Sequence, residues 1–344
     1  LMYANYNWKV VAKDSKGGTT TSNTFSFSTR GLNMPAQAVT TNAAFSERYA
    51  HSSVVFDNKL WLIGGLDGAG KNDVWYSADG ISWTAATANA PFSGRYYHSS
   101  VVFDNKLWVI GGFDGSRKND VWYSADGISW TAATTNAPFS GRLGHSSVVF
   151  DNKLWVIAGV IAGGSRKNDV WYSADGISWT EATANAPFSG RYGHSSVVFD
   201  NKLWVIGGFD GSRKNDVWYS ADGISWTAAT TNAPFSGRLG HSSVVFDNKL
   251  WVIAGVIAGG SRKNDVWYSA DGISWTEATA NAPFSGRLWH SSVVFDNKLW
   301  VIAGYDGAVK NDVWYSADGI SWTAATTNAP FSGREGHSSV VFDN

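Results

Sequence analysis

Seven histidines, His51, His98, His145, His194, His241, His290 and His337, each open the same octapeptide, His-Ser-Ser-Val-Val-Phe-Asp-Asn, and an arginine stands three residues before every one, from Arg48 to Arg334. Imidazoles that converge can ligate a metal or carry protons, and converging guanidinium groups can hold an anion. Metal binding is disfavoured here, because no second histidine or carboxylate lies at short ligand spacing and identical copies supply no asymmetric site. A structural role at the start of a strand is the stronger reading for the histidines. The carboxylates give the same answer: a glycosidase needs two particular acids in one cleft, and equivalent aspartates in every copy single out no such pair. The chain has no cysteine, which excludes disulfides and thiolate metal sites. It also carries no phosphate loop and no G-x-S-x-G elbow. No catalytic residue, metal or cofactor is expected.

These residues are positioned by a repeat. The steps between the histidines are 47, 47, 49, 47, 49 and 47 residues, a period suited to four-stranded propeller blades. In the unit from His98, His98–Phe103 is a β-branched run, Asp104-Asn105-Lys106 a turn and Leu107–Gly112 a second run. Asp120–Ser124 is the third and Ile128–Ala132 the fourth. Leu107, Trp108, Val109 and Ile110 put apolar groups on both faces, as sheets stacked between neighbours require. The 20 tryptophans follow from the repeat: three in each of six units, plus Trp8 and Trp289. A net charge of −1 without like-charge blocks argues against nucleic acid or an anionic membrane as partner. No apolar run is long enough for membrane insertion, and no signal peptide is visible.

Gly111-Gly112, then Tyr123, then Trp130, resembles the glycine doublet with spaced Tyr and Trp of kelch repeats, over about residues 36–344. The resemblance implies an all-β, kelch-like β-propeller similar to the central domain of galactose oxidase, with the aromatics packed between blades. Ala158, Ala254 and Ala303 stand where the first glycine would be. The turn Ser124–Trp130 is one residue short of the Asp-box of sialidase-type propellers, a structural element in that family. A galactose-oxidase-like copper site would need a Tyr–Cys cross-link, and a sialidase site an asymmetric arginine triad; neither is in the pattern.

Six complete units and seven first strands leave two accounts open: a closed six-bladed ring with spare end strands, or an incomplete seven-bladed ring. In the second, the preferred account, the segment Gln37–Arg48, which resembles Thr131–Arg142, supplies a lone fourth strand to the blade that His337–Phe342 begins. The chain is expected to be a piece of a longer one, since the last copy stops at Asn344 where the others continue into Lys-Leu-Trp. Residues 1–30 alternate around Gly17-Gly18 and resemble the last strands of a fibronectin type III module, which leaves 31–344 for the propeller. By that resemblance the protein is expected at a bacterial cell surface or outside the cell, as a monomer.

Residues 98–191 and 194–287 are identical at all 94 positions, and the first differences after them are Tyr192 against Leu288 and Gly193 against Trp289. This dipeptide, between the arginine and the histidine, varies along the whole chain, as does the loop between second and third strands. Antiparallel strands bring both segments out on one face, around the mouth of the central channel. Drift of unconstrained loops would also produce variation, but it accounts poorly for two adjacent changes in an otherwise identical stretch. Candidate ligand contacts are therefore Tyr96, Tyr97, Tyr192, Trp289, Phe113, Phe209 and Tyr305, with Arg95, Arg142, Arg191, Arg238 and Arg287 as a possible positive collar at the mouth, although a structural role between blades is the stronger reading for them. The expectation is a non-catalytic module for a protein or glycan ligand. The competing readings are the propeller part of a larger enzyme and an engineered or purely structural repeat.

Overall fold

The structure, a computed structural model, describes residues 43–342 throughout and, of the first 42, the strands Tyr3–Trp8, Val11–Lys13, Thr19–Thr21 and Phe25–Arg30. The chain divides into two compact units, Leu1–Gln37 and Ala38–Asn344. In the first, Tyr3–Trp8 pairs antiparallel with Phe25–Arg30, and Val11–Lys13 with Thr19–Thr21. The Gly17-Gly18 turn and residues 37–42 of the segment expected to supply a lone fourth strand lie outside the described residues, and 43–48 form no strand.

The second unit is a β-propeller of four-stranded antiparallel blades. The first blade runs Ser52–Phe56, Lys59–Ile63, Val74–Ser77 and Thr84–Thr87, paired in that order. Five further blades follow the same order, beginning at Ser99, Ser146, Ser195, Ser242 and Ser291. Asp104 and Asn105 both take positive φ (48° and 52°), the mirror-image turn whose twist suits a two-residue hairpin. The fourth strand begins later than its sequence suggests: Ile128 and Ser129 donate their backbone N–H groups to Asp126 Oδ1 at 2.8 Å, so pairing starts at Thr131. The side chain of Asp126 thus holds open a turn that the apolar pattern alone would extend into strand.

The first strands of consecutive blades lie against each other and are stitched by serines. Ser52 Oγ meets Ser100 Oγ at 2.6 Å, and the same pairing repeats through Ser99–Ser147, Ser146–Ser196, Ser195–Ser243, Ser242–Ser292 and Ser291–Ser339. Ser338 Oγ then reaches Ser53 Oγ at 2.7 Å, closing the cycle. Seven inner segments therefore surround the axis, and six of them carry three further strands.

Between blades, Phe56, Trp61 and Ile63 of the first pack on Leu107, Val109 and Trp130 of the second, and four later interfaces repeat this core. Strands buried on both faces explain why the apolar residues run continuously. The glycine doublet is unequal. At the first position φ is 58° at Gly111, and an added Cβ would come within 3.1 Å of His145, tight but passable, which is why alanine stands there in three blades. At the second, an added Cβ on Gly112 would lie 2.7 Å from the Cβ of its own blade's His98, and glycine is found in all six. Gly111→Ala should therefore cost about 1 kcal/mol or less, and Gly112→Ala roughly 3 kcal/mol. Chemical denaturation of the two variants checks this, and equal losses would refute the steric account.

Candidate functional site

Each blade-to-blade connection is anchored by its arginine. The backbone of Arg95 pairs with the first blade, its N–H donating to Lys71 O at 2.8 Å and its C=O accepting from Gly65 N at 2.9 Å. Its guanidinium reaches into the second blade, to Asp120 Oδ1 and Oδ2 at 2.7 Å and to Gly111 O at 2.9 Å. Arg142, Arg191, Arg238 and Arg287 repeat this with Asp169, Asp216, Asp265 and Asp312, and like Arg95 all four are 0% exposed. Burial by itself would raise the Asp169 carboxyl, but the hydrogen bonds and charge of Arg142 outweigh it and hold the group below the usual carboxylate range. The expected collar of positive charge at the mouth is thus internal: these five guanidinium groups are enclosed between blades with their charge matched.

Three residues further on, five of the seven histidines are tied to the blade before them. Ser52 Oγ and His98 Nε2 share a hydrogen bond of 2.8 Å, and His145, His194, His241 and His290 repeat the contact. Burial, reinforced by the neighbouring arginines, lowers the imidazole pKa values to about 3 at His98, His145, His194 and His241, and to about 4 at His51. Neutral rings fixed by serine are poor proton carriers at physiological pH, and among the described residues no cluster of three or more potential ligands is placed to hold a metal.

Between arginine and histidine lies the variable dipeptide, and its two positions do different things. The first pairs with the first residue after the doublet, in Tyr49–Leu66, Tyr96–Phe113, Leu143–Val160, Tyr192–Phe209, Leu239–Val256 and Leu288–Tyr305. Tyr96 and Phe113 meet edge-on at 5.5 Å, and Tyr192 and Phe209 at 5.7 Å. Arg166, from the neighbouring blade's longer loop, lies over Phe209 at 4.8 Å, and Arg262 lies over Tyr305 at the same distance. Five of the seven aromatic candidates are therefore half-buried partners within the face. The two variable segments differ from blade to blade together because they touch.

The second position faces the channel. All seven of its residues have positive φ, and glycine is the residue that tolerates this best. Four of the copies do have glycine, but Tyr97 and Trp289 hold φ of 52° and remain 43% and 45% exposed. Both line one cavity of about 300 Å³ at the mouth, together with Ala50, Gly240, Gly336 and the histidines below them. Backbone hydrogen bonds join this stretch of the rim: Trp289 N to Gly240 O, Gly336 N to Trp289 O, Ala50 N to Gly336 O and Tyr97 N to Ala50 O. The aromatic rings also shield what lies beneath, since His98 and His290 are buried whereas the other histidines are half-buried.

Two rim residues escaped the sequence reading. Tyr49 is 43% exposed and lies close enough to Tyr97 to help raise its phenol pKa, an effect led by burial. Glu335 occupies a first position otherwise filled by Tyr or Leu; its Oε2 is buried without a partner and burial raises its pKa. Its departure from the repeat was the available signal.

The histidine ring makes stability pH-dependent with a definite sign. Folded pKa values lie below the ordinary 6.5, so the unfolded chain takes up protons first as pH falls. The stabilisation is complete above about pH 6.5 and is lost on acidification toward pH 3 to 4. Thermal unfolding between pH 7 and 4.5 should show Tm falling by about 10 °C, before the lowered carboxylates titrate. A flat profile over that range would contradict buried neutral histidines.

Residues 10–182 and 144–344 each match the family model described as the KLHDC2/KLHL20/DRC7 Kelch-repeats domain. No curated protein matches the chain. Among solved structures it is similar to one titled "Structure of YjhT", at 19% identity and a TM-score of 0.65, over 83% of this chain and 99% of that one. That likeness is one of fold. With the doublet, the spaced aromatics and four-stranded blades all in place, the chain belongs to the kelch-repeat family.

Proposed function

We propose that the protein is a non-catalytic recognition module that takes a polypeptide ligand at the channel mouth, with Tyr97 and Trp289 as its principal contacts. The observation that carries this is the placing of two large exposed aromatics at backbone positions where glycine is the unstrained choice, on opposite sides of a short run of rim and over one cavity. A left-handed conformation costs a non-glycine residue on the order of 1 kcal/mol, and such strain collects at working sites. Rigid aromatic anchors at a cavity rim are what binding hot spots are made of. The kelch family, whose propellers serve as protein-binding scaffolds, agrees with this reading.

The charge around the mouth favours an acidic segment. Arg117, Arg166 and Arg213 stand in or at the end of the loops of this face without a carboxylate in salt-bridge contact among the described residues, whereas the charge of Arg262 acts on Glu335. A second reading, a glycan, is favoured by the open faces of Tyr97 and Trp289, against which sugar rings stack.

Screening the chain against displayed peptide libraries and a glycan array separates the two. The variants Tyr97→Gly and Trp289→Gly sharpen the test because they relieve backbone strain. Each should leave stability unchanged or raise it by about 0.5 to 1 kcal/mol while weakening binding at least about tenfold. Full retention of binding by the double variant would remove the mouth from consideration.

A further inference from the structure

The unpaired charges of the blades sort to opposite faces. On the mouth face, the loops of the first, second, fourth and sixth blades pair their own lysine with an aspartate four residues before it, as Lys118 does with Asp114 at 2.8 Å. The longer loops of the third and fifth blades, residues 160–166 and 256–262, contain no acidic residue, which leaves Lys167 and Lys263 without that partner. Arg117, Arg166, Arg213 and Arg262 add one guanidinium to each blade from the second to the fifth, where the first blade has Gly70 and the sixth Val309. None of these six cations is in salt-bridge contact with a carboxylate among the described residues. Lys167 and Lys263 act at longer range on Asp169 and Asp265, which Arg142 and Arg238 already match, and Arg262 acts on Glu335.

The opposite face carries the reverse sign. Its turn between third and fourth strands holds an aspartate in every blade, Asp79, Asp126, Asp175, Asp222, Asp271 and Asp318. Asp175 Oδ1 accepts the N–H groups of Ile177 and Ser178 at 2.8 Å and the hydroxyl of Ser173 at 2.9 Å, and the other five repeat this. Among the described residues no cation is in salt-bridge contact with any of the six. The other turn of that face is neutral, since Lys59 and its equivalents pair with the aspartate two residues before them. Two residues beyond each unpaired aspartate stands an isoleucine that is half exposed, from 48% at Ile224 to 53% at Ile128.

The two sets of charge occupy the two ends of the same strands. Arg166–Ser173, Arg213–Ser220 and Arg262–Ser269 each open on an arginine at the mouth face and stop two residues before Asp175, Asp222 and Asp271 at the other. Cations and carboxylates therefore stand at a similar distance from the axis and recur at one angular step, that from blade to blade. An unrelated polyanion would have to match both the step and the curvature. The opposite face of this same chain has them because both faces are ends of one repeat.

We infer that the mouth face of one molecule is a docking surface for the opposite face of a second copy, the two discs stacked head to tail about a common axis. The arginines of one copy then meet the aspartate turns of the next, and the isoleucines leave water. The contact is heterologous, so each complex keeps one free face of each kind and grows instead of closing. Stacking goes beyond the recognition role and competes with it, because a neighbour seated on the mouth face covers Tyr97 and Trp289.

Sedimentation of the whole chain tests this. At about 100 μM protein in about 20 mM salt, the average mass should exceed that of a dimer and keep rising with concentration, and at about 0.5 M salt it should return to the monomer. Two variants identify the faces. One carries Arg117→Gln, Arg166→Gln, Arg213→Gln and Arg262→Gln; the other carries Asp→Asn at all six turns, which removes the charge and keeps the Oδ1 acceptor. Each alone should self-associate at least about tenfold more weakly than the parent while unfolding as cooperatively. An equal mixture should form a complex that stops at two, because the mouth face of the aspartate variant still fits the opposite face of the arginine variant. A monomer at every salt concentration would overturn the inference. So would a mass that levels at a dimer, the mark of one face meeting its own kind, or a mixture that associates no better than its components. A low-salt monomer that binds poly-glutamate would assign the cations to an acidic polypeptide and overturn it equally.

Discussion

The structure depends on one interaction repeated at each blade-to-blade step, a connection arginine whose backbone belongs to one blade and whose guanidinium belongs to the next. At Arg142 both terminal nitrogens engage Asp169 at 2.8 Å, and Nη1 also meets Ala158 O at 2.8 Å. Removing one partner from such a buried pair leaves a desolvated charge, a loss of roughly 3 to 5 kcal/mol. The pair is directional as well as strong, so it fixes the angle between blades in a way that the apolar core on its own would not.

The site follows from that strap. With the arginine held on one side and the histidine tied to serine on the other, just two residues remain to cross the face. The first completes a backbone pair with the neighbouring loop, and the second is turned into the left-handed region toward the axis. Every copy carries out the same crossing, so side chains at that second position converge on the channel. The architecture brings one position per blade onto the channel, and Tyr97 and Trp289 fill it with large aromatics.

The same regularity accounts for the chemistry. A catalytic centre needs unlike groups converging with displaced pKa values in an asymmetric cleft. Here the histidines are displaced in one direction by one cause, and the buried arginines are matched by aspartates. Among the described residues, asymmetry gathers in the loops of one face and at the rim, Tyr49 and Glu335 included.

The sequence by itself determined the repeat, the four strands per blade, the face on which variation gathers and the kinship to kelch propellers, because period, turn residues and apolar runs are local properties. It placed the start of the fourth strand three residues early, since the hydrogen bonds of Asp126 are invisible to a hydrophobic pattern. It also named Arg95 and its equivalents together with Tyr97 as candidates for one mouth, because a charged or aromatic residue beside a variable position reads the same whether it points to solvent or into an interface. Only the tertiary structure decided between those cases. It buried the arginines against aspartates 25 or 27 residues away, paired Tyr96 with Phe113, and left Tyr97 and Trp289 open on the channel. Those outcomes depend on contacts across blades and on the sign of a backbone angle, neither of which is written in any single repeat.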